Sequence, residues 1–170
     1  VYKRQMLPFA LISFDDVELS PEWRLDASEG GFQQLFHLLE YGRVLLCASS
    51  LGMAQAAMDD ACAWTNERQQ FGKPICKQQY LAFKMAELQT KIQAAELLLY
   101  KAAICKEEGQ PYTVPAAMAK MTCTNTAMKV TTEAVQMLGG NGYMKDYHVE
   151  RMMRDAKITQ IYEGTNEIQK

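Results

Sequence analysis

The chain has 170 residues, 48% of them hydrophobic, with a formal net charge of −2. That apolar share supports a sizeable core and excludes a disordered tail. The slightly acidic balance excludes a general nucleic-acid or anionic-membrane binder, which carries a basic face. No run of about 18 apolar residues occurs, so no transmembrane span is expected. No secretory signal is read either, because Val1-Tyr2-Lys3-Arg4 leads into polar, strand-like sequence. A start at Val rather than Met reads as a processed or excised chain. The five cysteines are odd in number and widely spaced, and the two histidines, His37 and His148, lie far apart. Neither a disulfide framework nor a metal site is expected; the cysteines read as small buried side chains in a reducing compartment.

Phe9-Ala10-Leu11-Ile12-Ser13-Phe14 reads as a strand with Ile12 and Phe14 on one face. Asp15-Asp16 shifts the phase, as a bulge or turn does, and Ser20-Pro21 ends the extended stretch. Because one ribbon is not a stable sheet, residues 1–28 read as the tail of a β domain and residues 29–170 as a helical domain. From Phe32 the period turns helical, through Leu35, Phe36 and Leu39, and runs to about Glu67. Such a helix spans about 50 Å. Gly42 and Gly52 interrupt its propensity and mark close packing or a ligand. Phe71-Gly72-Lys73-Pro74 stops it.

A second helix is expected over about Cys76 to Glu108, with a seam of Leu81, Met85, Leu88, Ile92, Ala95 and Leu99. A third opens near Thr113 with Pro115 in its first turn. Its apolar residues include Met118, Met121, Met128, Val135 and Leu138, and Gly139-Gly140-Asn141-Gly142 ends it. A connection to about Lys157 leads into a last helical stretch that runs to the chain end. Long helices with short connections imply a mainly α fold, an antiparallel up-down four-helix bundle.

Four segments are over-specified for a plain bundle. In Ile161-Tyr162-Glu163-Gly164-Thr165-Asn166-Glu167-Ile168 a carboxylate stands between an aromatic residue and a glycine where a helical pattern breaks. An apolar wall beside a carboxylate makes it a better base, and a glycine leaves its approach open; a helix end with a solvated acid is the plainer alternative. Arg68-Gln69-Gln70-Phe71-Gly72 sets an arginine at a helix C-terminus, where it complements the helix dipole or forks onto a phosphate. Gln136-Met137-Leu138-Gly139-Gly140-Asn141-Gly142 has more glycine than one helix stop needs, so backbone amides there can approach a ligand. Glu40 and Arg43 form a surface pair or face a bound polar group.

Together these residues resemble the C-terminal part of the flavin-dependent acyl-CoA dehydrogenases, of the short- or medium-chain type. The resemblance rests on the order of Glu40-x-Gly42-Arg43, Glu67-Arg68-x-x-Phe71-Gly72, Gln79, Gln136-x-x-Gly139-Gly140-x-Gly142-Tyr143, Met153-Arg154-Asp155-Ala156-Lys157 and Tyr162-Glu163-Gly164-Thr165. It covers essentially the whole chain. It implies a C-terminal bundle of a larger enzyme, homotetrameric or homodimeric, in the bacterial cytoplasm or the mitochondrial matrix. It implies FAD as cofactor, an acyl-CoA substrate and electron-transferring flavoprotein as partner, and no metal. By resemblance Glu163 is the catalytic base for α,β-dehydrogenation, with its own backbone N–H helping to hold the thioester oxygen. Arg68, Phe71, Gln79, Gln136, Met137, Leu138, Gly139, Gly140, Thr165, Asn166 and Glu167 match cofactor contacts. Glu40, Arg43, Tyr162 and Gly164 match substrate contacts. Glu40 stands where the family usually has Asp, and Asn166 where Ser is frequent. A related enoyl-CoA reductase and a non-catalytic oligomerising bundle are the other readings.

Overall fold

The computed structural model describes residues 10–24 and 31–170. The expectations that fall on residues 1–9, including the N-terminal sequence and Phe9, and on residues 25–30, lie outside the described residues. Four α-helices are present among the described residues: α1 (Gly31–Glu67), α2 (Gln79–Glu107), α3 (Thr113–Leu138) and α4 (Val149–Thr159). A two-residue hairpin, β1 (Gln69–Gln70) with β2 (Lys73–Pro74), sits between α1 and α2. The bundle expected from the sequence is therefore present, with α3 lying between α1, α2 and α4.

The α2 seam is the one expected: Leu88, Ile92 and Ala95 are buried and Leu81, Met85 and Leu99 pack beside them. α3 differs. Its core face is small residues, Ala116, Ala119, Cys123, Ala127, Val130 and Ala134, while Met118 is exposed and Met121 and Met128 sit at the flanks. Small side chains let a central helix approach three neighbours closely. Two of the buried threonines among them, Thr124 and Thr131, each donate a hydrogen bond to the carbonyl four residues back, 2.8 Å in both cases, so neither hydroxyl is stranded.

Two expectations are corrected. Residues 10–19 form no strand; Leu11, Ile12, Phe14, Val17 and Leu19 are exposed, and the only β pairing among the described residues is β1 with β2. A strand needs a partner for its backbone groups, and sequence alternation supplies none. The phase change at Asp15-Asp16 is real, a bend with Asp16 at φ 46°. The last helix lies earlier than expected: α4 buries Val149, Ala156 and Thr159 and ends at Thr159, where a final helical stretch was expected to be starting. Dense charge, including the Arg154–Glu150 pair at 2.9 Å, hides this short amphipathic helix in the sequence. Residues 160–170 instead fold back in turns over α1 and α3, and this return builds the site.

Candidate active site

The segment after α4 turns through two left-handed residues, Glu163 at φ 58° and Gly164 at φ 85°. A glutamate in this region costs about 1–2 kcal/mol and persists only where surrounding contacts over-determine it. Those contacts are present. The Asn166 N–H donates to the Gln160 carbonyl at 3.0 Å and closes the loop. Arg43 Nε and Gln169 Nε2 each donate to the Glu163 carbonyl at 3.3 Å, and Gln169 Nε2 also reaches the Gly164 carbonyl at 3.2 Å. A side chain on Gly164 is disfavoured by its φ of 85°, and a Cβ there would lie 2.7 Å from Gln169 Nε2 and displace that amide. The N–H groups of Glu163 and Gly164 enter no backbone hydrogen bond among the described residues.

The Glu163 carboxylate is laid against α1 at Gly42. A Cβ on Gly42 would lie 3.1 Å from both carboxylate oxygens. Glu163 Oε2 is buried and has no hydrogen-bond partner. An orphaned buried oxygen in a strained turn is the mark of a group held ready for a ligand rather than for the fold. Gly52, by contrast, meets nothing within 4 Å and marks no close approach. Gly42→Ala separates the two roles. Alanine favours a helix interior by about 0.5–1 kcal/mol, so the melting temperature holds or rises, while the new methyl displaces the carboxylate and kcat/KM falls. Equal kcat/KM in the variant, measured beside its melting curve, would show that the cradle is not functional.

Around this carboxylate the substrate candidates converge in part. Arg43 and Gly164 touch the Glu163 turn, and Tyr162 precedes it, half-buried, its hydroxyl pKa raised by burial and by Glu163. Glu40 does not pair with Arg43. It accepts a 2.6 Å hydrogen bond from the Thr113 hydroxyl and lies 3.9 Å from His37. Among the cofactor candidates on this segment, Asn166 is turned inward. Its side chain donates to Thr124 and Asn125 of α3, both at 2.9 Å. Glu167 is exposed, and its own N–H and the Thr165 hydroxyl hold its carboxyl below the usual range.

A second cluster lies at the far ends of α1 and α3. Trp64, Arg68, Gln70, Ile75, Gln136, Met137, Leu138, Gly139, Gly140 and Asn141 line one open cleft of about 360 Å³. Arg68 makes no ion pair among the described residues. Of the glycines, Gly139 takes a left-handed φ of 61°, and a Cβ on Gly142 would lie 2.6 Å from the Val135 carbonyl; Gly140 has open space around it. Phe71 and Gly72 form the hairpin tip with φ 54° and 76°, the signs a type I′ turn requires. Phe71 is 89% exposed in this unfavourable conformation. Gln79, the first residue of α2, is exposed and outside the cleft.

The two clusters are far apart. Arg43 stands in α1 and Arg68 one residue past its end, 25 positions on, about 37 Å along the helix.

Sequence reasoning missed Lys120, Gln169 and Asn125. The clue to Lys120 was its phase, one place past Ala119 and three before Cys123 on the face that α3 buries.

Known proteins share this sequence and fold. The family model for the acyl-CoA dehydrogenase C-terminal domain matches residues 29–170. The chain belongs to the acyl-CoA dehydrogenase family. A short-chain-specific acyl-CoA dehydrogenase of Megasphaera elsdenii is 51% identical over 156 residues, covering 92% of this chain and 41% of that protein. The solved butyryl-CoA dehydrogenase from the same organism superposes with a TM-score of 0.81 at 54% identity, over 82% of this chain and 36% of that one. A subunit of a caffeyl-CoA reductase–Etf complex from Acetobacterium woodii is 40% identical over 93% of this chain and 42% of that protein. The chain thus spans about two-fifths of the length of the acyl-CoA dehydrogenase relatives it matches.

Proposed function

We propose that the chain is the C-terminal, FAD- and acyl-CoA-binding part of an acyl-CoA dehydrogenase that introduces an α,β double bond into an acyl-CoA thioester. Residues 1–28 are the tail of the family's middle β domain in this reading, and residues 29–170 its helical domain. The observation that carries it is the Glu163 carboxylate, pressed onto Gly42 with a buried, unpartnered oxygen in a left-handed turn. A base so placed is pre-oriented, and positioning of this kind supplies a large share of a barrier reduction.

Glu163 removes the proton from the carbon next to the thioester carbonyl. That proton is weakly acidic, and its removal needs a donor at the thioester oxygen; the Glu163 N–H, which has no backbone acceptor, serves there. Bound FAD supplies the acceptor for the hydride that leaves the β carbon. Glu40, Arg43, Tyr162 and Gly164 bind the thioester, Arg43 while also holding the carbonyl of the base. Short-chain substrates are favoured, since relatives at about 50% identity are named for them.

The residues fit the cofactor. An unpaired Arg68, an open Gly139-Gly140 turn and the cleft beside Gln136, Met137 and Leu138 suit a diphosphate and its nucleoside. Phe71, at the hairpin tip next to Gln70, and Gln79 are assigned to this end, and Thr165, Asn166 and Glu167 to the other. The helix length between the two ends supports a site shared by neighbouring copies, in a homotetramer or homodimer. Electron-transferring flavoprotein is the electron acceptor in this reading, supported by the Etf-complex relative. That relative's name also supports reduction of an enoyl-CoA, which uses the same base as an acid in reverse.

The test is anaerobic addition of butyryl-CoA to the flavin-loaded protein. Bleaching of the oxidised-flavin absorbance with formation of the enoyl thioester is the expected result. Flavin-loaded protein that no saturated acyl-CoA bleaches, and no enoyl-CoA reoxidises after reduction, would refute the assignment.

A further inference from the structure

Lys120 is the largest fully buried side chain of the described residues. It stands on the core face of α3, where a charged residue is rare unless paired. Among the described residues no carboxylate lies within salt-bridge distance of it. Its Nζ donates instead to two neutral oxygens, the Gly164 carbonyl at 2.8 Å and Asn166 Oδ1 at 2.9 Å. Asn166 is held in turn by Thr124, and by Asn125, which also accepts from Gln160 at 2.7 Å. A buried cation with only neutral partners is unfavourable for the fold unless it gains something elsewhere. What it gains here is two holds on the segment directly after Glu163, at Gly164 and at Asn166. The Gly164 carbonyl is drawn inward onto α3, as Arg43 draws the Glu163 carbonyl onto α1.

We propose that Lys120 is a positioning residue for Glu163: its buried ammonium clamps the Gly164 carbonyl and Asn166, and so holds the left-handed turn that lays the carboxylate on Gly42. The proposal rests on the reading of Glu163 as the base. Lys120 touches no reacting atom. Its effect passes through the Gly164 carbonyl and the Asn166 side chain, so it acts on the step that needs the base in place more than on thioester binding.

The test uses Lys120→Met, close in length and without the donors, together with Asn166→Ala, which removes one acceptor and leaves the lysine. Both are compared with the parent by backbone hydrogen exchange and by steady-state kinetics. Exchange at the hydrogen-bonded amides of the segment, Asn166, Ile168 and Gln169, accelerates about tenfold or more in both variants, while the core amides of α3 around Ala127 and Val130 keep their protection. Turnover per folded molecule falls by up to about 10²-fold, the cost of a base misplaced by about 1 Å, with KM changing far less. If Lys120→Met fails to fold, Asn166→Ala carries the measurement. Parental exchange rates at the Asn166, Ile168 and Gln169 amides in the folded variants would overturn the clamp. Glu163→Gln is assayed alongside: parental turnover there would refute the base reading alone, and the exchange data would still decide the clamp.

Discussion

With Glu163 as the proposed base, Glu163→Gln is expected to slow dehydrogenation sharply and to leave the fold intact. The amide has nearly the same shape as the carboxylate but cannot take a proton, so the rate falls by the general-base contribution, about 10²–10⁴-fold. Stability is expected to hold, for a reason visible in the site. Glu163 has no salt bridge among the described residues, and its Oε2 is buried without a hydrogen-bond donor. Neutralising a carboxylate whose buried oxygen accepts no hydrogen bond removes a desolvation burden and no short-range contact. The turn itself is held by backbone carbonyls, to which Arg43, Gln169 and Lys120 donate, and these contacts do not involve the side chain being changed. The combination expected is lost turnover with an equal or higher melting temperature. A drop in melting temperature that tracks the lost activity would mean that Glu163 holds the fold, and the base assignment would lose its support.

The legible and illegible parts of this chain divide by physical cause. The α2 seam was legible because Leu88, Ile92 and Ala95 bury one face at helical spacing, which is a local property of sequence. The core face of α3 was less so. Methionine catches the eye as apolar, yet the helix in the middle of the bundle buries alanine, threonine and cysteine, since closeness of approach decides there. The strand at residues 10–14 failed because pairing is not local. The Glu163 motif was legible as a break in pattern with chemistry attached. Its support was not, because Lys120, 43 residues earlier, has no sequence neighbour to announce it and contradicts the general exclusion of lysine from cores. The far cluster was legible residue by residue, Arg68 with Gln136 to Gly140, and the structure does bring those together in one cleft. That the cleft lies a helix length from Glu163 was not, since spacing along α1 becomes distance only once the helix is known to be continuous.

The same buried lysine gives the protein an alkaline stability signature. Burial lowers the Lys120 pKa from 10.5 to about 8. Arg43 on α1 lowers it further, while Cys47 on α1 and Glu163 and Glu167 on the closing segment oppose the fall. In the unfolded chain the lysine holds its proton up to about pH 10.5. Between about pH 8 and 10.5 the unfolded state therefore binds more protons than the folded state, and stability rises with pH through this window. The contribution is complete above the unfolded value and is lost as pH falls to about 8; the gap corresponds to about 3 kcal/mol. Other lysines, tyrosines and cysteines titrate in the same window, so the quantity to measure is the difference between parent and Lys120→Met, by denaturant unfolding at pH 7.5 and pH 10. The parent is expected to gain on the variant by up to about 3 kcal/mol over that interval. Parallel stability curves would mean that Lys120 keeps an ordinary pKa in the fold. In that case the ammonium is already compensated at neutral pH, and its placement beside Gly164 carries no thermodynamic tension for the turn to relieve.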